Sequence, residues 1–310
     1  MKYLIFGGLG FVGNQLVRTL KSNGEEVVIA DNSFRVAEKI DDIQDVTLIH
    51  VDIRNATEVI NVITNVKPDV LINLAAIHYI PECNSDPGLA FDVNVNGVIN
   101  ILKSLDSFKP KHLILMSSGA VYADYREKLD ELKSNINPVD IYGVSKKVNE
   151  DLALIYSKKN PDVTFSIVRL FNVYGPRETN AHIIPEILSQ LRKSKTLTLG
   201  NLKPRRDMIY VDDVANGLLA ISKRLNGSNY EIINLSSGED ISMYEMIELI
   251  GRLLNYEIEI EIDPKRFRDV DKLVQNGSVV KLKKLTGFQT EVSIEKGLKQ
   301  LLYFEGFLRN

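Results

Sequence analysis

Tryptophan is absent from the 310 residues, cysteine occurs once and histidine four times. A single thiol, Cys83, cannot close an internal disulfide, so a disulfide-stapled secreted fold is excluded and a reducing cytoplasm is the expected setting. Cys83 itself reads as a small, partly buried apolar residue. His50, His78, His112 and His182 are too scattered along the chain for an HExxH or Cys/His ligand box, and no metal is expected. Neither sign of charge is in excess: 38 Lys and Arg against 41 Asp and Glu leave a formal −3, with a pI near 5.9. That balance gives no electrostatic case for nucleic acid or an anionic membrane. Apolar runs long enough to span a bilayer are missing. The opening MKYLIFGGLG breaks its short apolar run with glycines after Phe6, the pattern of a strand entering a turn and not of a signal peptide. Internal repeats and low-complexity tracts are missing too.

What is present is an ordinary globular composition, 44% hydrophobic and 25% charged, in a chain long enough for a large core. Short apolar runs at 2–6, 26–30, 46–51, 69–75, 112–117 and 164–170 alternate with helical patterns at 11–23, 55–66, 89–107 and 142–159. Near-continuous apolar strands alternating with helices predict an α/β fold with a Rossmann-type doubly wound parallel sheet. After about residue 175 helical patterns dominate, at 182–194, 212–225, 242–254 and 293–304, with short strands at 208–211 and 230–235. No Pro/Gly/Ser linker separates the halves. We expect a Rossmann domain over 1–175, with later strands at about 205–235 interleaved, and a smaller C-terminal substrate-binding lobe over most of 176–310.

The stretch YLIFGGLGFVGNQLV places Gly7, Gly10 and Gly13 between a strand and an amphipathic helix. Such a turn lets the backbone approach a pyrophosphate, with Phe11, Val12 and Gly13 opening the helix whose N–H groups and dipole favour an anion. Asp31 ends the second strand, 18 residues beyond Gly13. A carboxylate there accepts from ribose hydroxyls and repels a 2′-phosphate, and no arginine stands at 31 or 32, so NAD is favoured over NADP, with Asn32 beside it. Asp52 and Ile53 in VDIR end the third strand, where an aspartate can reach the adenine amino group. Leu74, Ala75 and Ala76 in NLAA end the fourth, where small residues let a cofactor pass close to the backbone. Of twelve tyrosines only Tyr142 has a lysine four residues on, Lys146, which places the two on one helix face. A free tyrosine has a pKa of about 10, so as a base it needs a nearby ammonium and the positive nicotinamide.

Taken together, GGLGFVG (7–13), MSSGAVY (116–122), YGVSK (142–146), RLFNVYGPR (169–177) and RRDMIYVDDVA (205–215) resemble motifs of the short-chain dehydrogenase/reductase superfamily, in its extended branch acting on nucleotide-sugars. The resemblance covers nearly the whole chain, and the last two motifs are far more specific than the glycine loop. It implies Ser118, Tyr142 and Lys146 as the catalytic set, with Ser118 on the sugar 4-oxygen and Ser117 bonded within the loop. It also implies Asn94 near the cofactor and active site, Asn172 and Arg206 at the substrate diphosphate, and Arg266 or Arg268 as a further phosphate-binding arginine. His182, which precedes IIP, matches a family histidine and is read as a substrate contact. A homodimer is the family's habit.

Related dehydratases carry an acidic pair after the catalytic residue, and related decarboxylases a Glu in the same segment. Gly119 and Ala120 stand there, and neither can transfer a proton. Dehydration and decarboxylation are therefore disfavoured. What remains is hydride transfer at C4 with bound NAD: a 4-epimerase on a nucleotide-sugar, UDP-sugars favoured. The alternative is a 4-keto-6-deoxy-sugar reductase, and a third reading is a non-catalytic NAD-binding protein.

Overall fold

The structure, a computed structural model, describes residues 1–33, 46–124, 127–178, 180, 182–224, 228–267 and 272–309. Six strands come first in chain order: β1 (Lys2–Phe6), β2 (Glu26–Asp31), β3 (Thr47–His50), β4 (Val70–Asn73), β5 (His112–Ser118) and β6 (Thr164–Leu170). Then follow β7 (Asn172–Tyr174), β8 (Thr196–Leu199), β9 (Arg205–Tyr210), β10 (Tyr230–Leu235), β11 (Asp240–Ser242), β12 (Glu259–Ile262) and β13 (Val274–Gln275). Seven of these strands form one all-parallel sheet in the order β3-β2-β1-β4-β5-β6-β10. The order reverses direction between β1 and β4, so the crevice beyond their C-terminal ends is a topological switch point, where ligands of open α/β sheets bind.

Central strands bury every residue: β4 throughout, and β5 up to Met116 and Ser117. Continuous burial follows because helices cover both faces. One face holds a core built around Tyr3, Ile5, Leu16, Leu20 and Ile72, under α1 (Phe11–Ser22) and, further along the chain, 211–222. The other face packs Leu4, Phe6, Leu71, Leu113 and Phe165 against α2 (Ala56–Val66) and the helices at 97–103 and 141–159. A third cluster around Ile187, Leu197, Met246 and Leu298 forms the core of the C-terminal part. That part has its own small sheet, in which β9 pairs with β7, β11 and β13, and a two-stranded sheet of β8 and β12. The strand near 208–211 therefore belongs to the small sheet, whereas 230–235 returns to the edge of the large one.

Short helices α3 (Ile80–Ser85) and α4 (Pro87–Phe91) follow β4. The continuous helix expected over 89–107 is broken into α4, a π-turn at Asp92–Asn96, α5 (Gly97–Lys103) and a 3₁₀ turn at Ser104–Asp106. Asn94 in the π-turn spends its amide on the Ile77 backbone, and a Cβ at Gly97 would lie 2.8 Å from Ile53. These tertiary contacts outweigh regular periodicity, as at many π-bulges. The later helices are α6 (Ile141–Lys159), α7 (Ile183–Leu191), α8 (Val211–Ser222), α9 (Met243–Leu254), α10 (Val280–Thr286) and α11 (Ile294–Phe304). Among the described residues no helix is long and apolar enough to cross a membrane.

Candidate active site

A cleft of about 1630 Å³ runs from the switch point into the C-terminal part. Single-ligand pockets span roughly 300–1,000 Å³, so this one has room for two sizeable molecules. Gly7, Gly10, Phe11, Val12 and Gly13 line one end. Gly7 has φ +77°, and a Cβ on it would sit 2.6 Å from the Ala75 nitrogen; on Gly13 it would sit 2.3 Å from the Gly7 carbonyl oxygen. Only glycine allows so tight a turn. Gly10 caps α1 with no side-chain acceptor and no acid in the first turn, and it is exposed. The α1 N–H groups thus open on the cleft, which suits a pyrophosphate.

Asp31 lies beside this turn, its two oxygens accepting from Leu9 N at 3.0 Å and Ser33 N at 2.9 Å, and Asn32 lines the cleft next to it. Those bonds anchor the carboxylate while leaving lone pairs for ribose hydroxyls. Asp52 lines the cleft too, but Arg54 grips its carboxylate, with Nη2 at 2.6 Å, and holds its pKa below the usual range. The expected reach to an adenine amino group therefore competes with Arg54, a residue the strand pattern gave no reason to single out. Ile53, Leu74, Ala75 and Ala76 complete this wall. Asn94 is not on it: the residue is buried behind the cleft, bonding Ile77 and the Ser145 hydroxyl.

The adjacent serines at the end of β5 diverge. Ser118 lines the cleft together with Tyr142, its hydroxyl accepting from Ala120 N at 3.1 Å. Ser117 points the other way, donating to Glu150 Oε1 at 2.6 Å, so its partner is on α6 and not in its own loop. Glu150 is in turn held bidentate by Arg169, at 2.8 and 2.7 Å, with both side chains buried. Arg169 stacks on Tyr122, 4.6 Å from its centroid, and Tyr122 donates to Asn234 at 2.7 Å. This network supports the turn at Gly119–Val121 from beneath. Asp140 caps α6 by accepting from Gly143 N at 2.7 Å, which places Tyr142 in the first turn and Lys146 one turn on. Lys146 Nζ lies 5.5 Å from the Tyr142 ring centroid. Burial lowers Lys146 to about 8 and pushes the Tyr142 phenol up.

Gly119 and Ala120 line the cleft beside this pair. A Cβ on Gly119 would meet the Phe171 ring at 3.2–3.4 Å. Their carbonyls are held from the C-terminal part: Lys272 Nζ donates to Ala120 O at 2.9 Å and to Tyr122 O, and Gln275 to Gly119 O at 3.3 Å. Lys272 is nearly buried, and burial lowers its pKa. No motif in the sequence marks it.

At the far end, Asn172 donates to the Asp207 carbonyl at 3.2 Å and Arg206 to the Lys272 carbonyl at 2.8 Å, both residues lining the cleft. Arg266 lines it as well, paired with Glu186 at 3.1 Å. Arg268 lies outside the described residues. His182, the N-cap residue of α7, meets His78 across the cleft, ring centroids 5.8 Å apart. Among the described residues, His78, Glu178 and His182 form a group whose ligand atoms lie within 4.8 Å of one another. Spacing along the chain could not reveal it, since 104 positions separate the two histidines.

A family model described as the NAD dependent epimerase/dehydratase family matches residues 3–236. The UDP-glucuronate 4-epimerase of Thermodesulfobacterium geofontis is 29% identical, over 96% of this chain and 94% of its own. The GDP-6-deoxy-D-mannose reductase of Pseudomonas aeruginosa is also 29% identical, over 76% and 79%. The crystal structure of UDP-glucose 4-epimerase from Bifidobacterium longum, in complex with NAD+ and UDP, superposes with a TM-score of 0.89 at 22% identity, covering 99% and 98%. With the matching model spanning most of the chain, and with a glycine turn, an anchored Asp31 and an open α1 terminus in one cleft, this protein belongs to the NAD dependent epimerase/dehydratase family, as an enzyme whose cofactor is NAD.

Proposed function

We propose that this enzyme is a nucleotide-sugar 4-epimerase acting on UDP-hexoses. The observation that carries the reading is the convergence of Ser118, Tyr142 and Lys146 on one cleft, with Gly119 and Ala120 bringing no ionisable group to it from the adjoining turn. NAD, when bound, supplies reversible two-electron acceptance at C4. Tyr142 takes the proton of the sugar 4-hydroxyl, and Ser118 holds the same oxygen. The Lys146 ammonium favours the phenolate that does this, against the burial that opposes it. Asn172, Arg206 and Arg266 hold the diphosphate as an anchor. The 4-keto sugar turns about that anchor, presents its other face, and O4 recovers its proton from Tyr142 with C4 inverted. Nothing is consumed. Loss of water would need an acid for the departing hydroxyl and a base for the C5 proton, and neither Gly119 nor Ala120 offers one.

Incubation with UDP-glucose or UDP-galactose, without added reductant, is expected to yield a mixture of the two. Absence of interconversion for these, their N-acetyl forms and UDP-glucuronate by an NAD-loaded sample overturns the proposal. A second reading, reduction of a nucleotide-linked 4-keto-6-deoxy sugar, is favoured by His182 in the cleft wall. Stoichiometric consumption of reduced cofactor with such a ketone identifies it.

A further inference from the structure

We propose that this protein binds one divalent transition-metal ion on His78, Glu178 and His182, across the cleft between its two parts. The ligands come from both walls. His78 lies between β4 and α3, whereas Glu178 and His182 lie in the connection from β7 to α7. One ligand atom from each falls within 4.8 Å of the others. A tetrahedral ion with bonds of about 2.0–2.2 Å separates its ligand atoms by about 3.4 Å. Closing the group onto an ion therefore needs a side-chain adjustment of roughly 1 Å, which a glutamate supplies by rotating.

His78 is set up as a ligand in a second way. Its Nε2 faces the Asn180 amide nitrogen at 2.8 Å. An amide NH₂ only donates, so Nε2 presents a lone pair to the cleft. The Asn180 N–H stands where the cation would bond.

Two imidazoles and one carboxylate, with no thiolate, select Zn²⁺, Co²⁺, Ni²⁺ or Cu²⁺ over the oxygen-seeking Ca²⁺ and Mg²⁺. Three protein ligands leave a coordination position open to the cleft. No step of the proposed epimerisation uses the ion, so the two readings stand or fall separately.

The test uses the untagged full chain, stripped of metal by a chelator and then titrated with CoCl₂ in the absence of nucleotide-sugar. The expected result is one ion per chain with visible d–d absorption, displaced by ZnCl₂. His78→Ala and His182→Ala each weaken binding at least tenfold, whereas Asn180→Ala, which removes the competing donor, preserves it. Retained NAD and an unchanged melting temperature identify a folded variant. Glu178→Gln, which keeps size and packing, serves where a histidine variant fails that check and is expected to weaken binding likewise. Sub-stoichiometric binding by the parent chain, or equal affinity in the parent and the folded ligand variants, overturns the proposal.

Discussion

Ser117 and Ser118 are neighbours with the same side chain, and the pleat of β5 sends them to opposite faces. Ser118 lines the cleft together with Tyr142, while Ser117 closes a buried Glu150–Arg169 network. Substitution should separate the two roles. Ser118→Ala is expected to lower kcat by about 10²–10³-fold, in the range of a lost hydrogen-bond donor to the reacting oxygen, with NAD retained and folding unaffected. Ser117→Ala is expected to leave catalysis nearly intact but to cost roughly 1–2 kcal/mol, since a buried carboxylate oxygen loses its donor. Steady-state kinetics and urea unfolding on the same two proteins provide the check. Gly119 is explained at the same scale, because any side chain there begins against Phe171. Its lack of chemistry has a packing reason beside the functional one.

Elements are held in register by polar groups as well as by the apolar core. His112 opens β5 fully buried, its ring bonding the Ser222 carbonyl at the end of α8 at 3.2 Å and the Ser166 hydroxyl on β6 at 2.9 Å. Burial, more than any neighbouring charge, lowers its pKa from 6.5 to about 4. The folded protein therefore keeps His112 neutral where the unfolded chain already takes up a proton. Stability from this site is complete above pH 6.5 and declines as pH falls from 6.5 toward 4. The loss should reach about 2 kcal/mol by pH 5. Urea midpoints of the parent at pH 7 and pH 5 should show it, and His112→Gln should flatten the difference. The broken helix after β4 is also an element-scale outcome. Its sequence carries a helical pattern, but the Asn94 bonds to Ile77 and the packing of Gly97 on Ile53 come from segments far away in the chain.

Across the whole molecule, the two parts are joined at the catalytic turn. Lys272 belongs to the C-terminal part, and its ammonium holds the carbonyls of Ala120 and Tyr122, while its own carbonyl receives Arg206. A continuous path thus connects the proposed diphosphate anchor to the turn that carries Ser118. Lys272→Met removes two bonds beneath that turn without touching the glycine loop. We expect kcat to fall about tenfold, the order of one lost charge-assisted hydrogen bond, with NAD affinity unchanged, as kinetics and cofactor titration will measure.

The sequence by itself determined what neighbours encode: apolar runs that must be covered on both faces, a turn only glycine can make, and a tyrosine and lysine one helical turn apart. Nearly all the residues singled out from those patterns line one cleft. Asn94 stands behind it, and Arg268 falls outside the described residues. Only the tertiary structure decided that Ser117 turns to Glu150, that Arg54 occupies Asp52, that Lys272 supports the turn at Ala120, and that His78 meets His182. The reason is physical. Except for the Arg54 grip, these outcomes depend on atoms brought together from positions some 33 to 152 residues apart, and chain spacing carries no information about such contacts. For Arg54, two positions from Asp52, it is side-chain geometry that decides, and the strand pattern does not specify it.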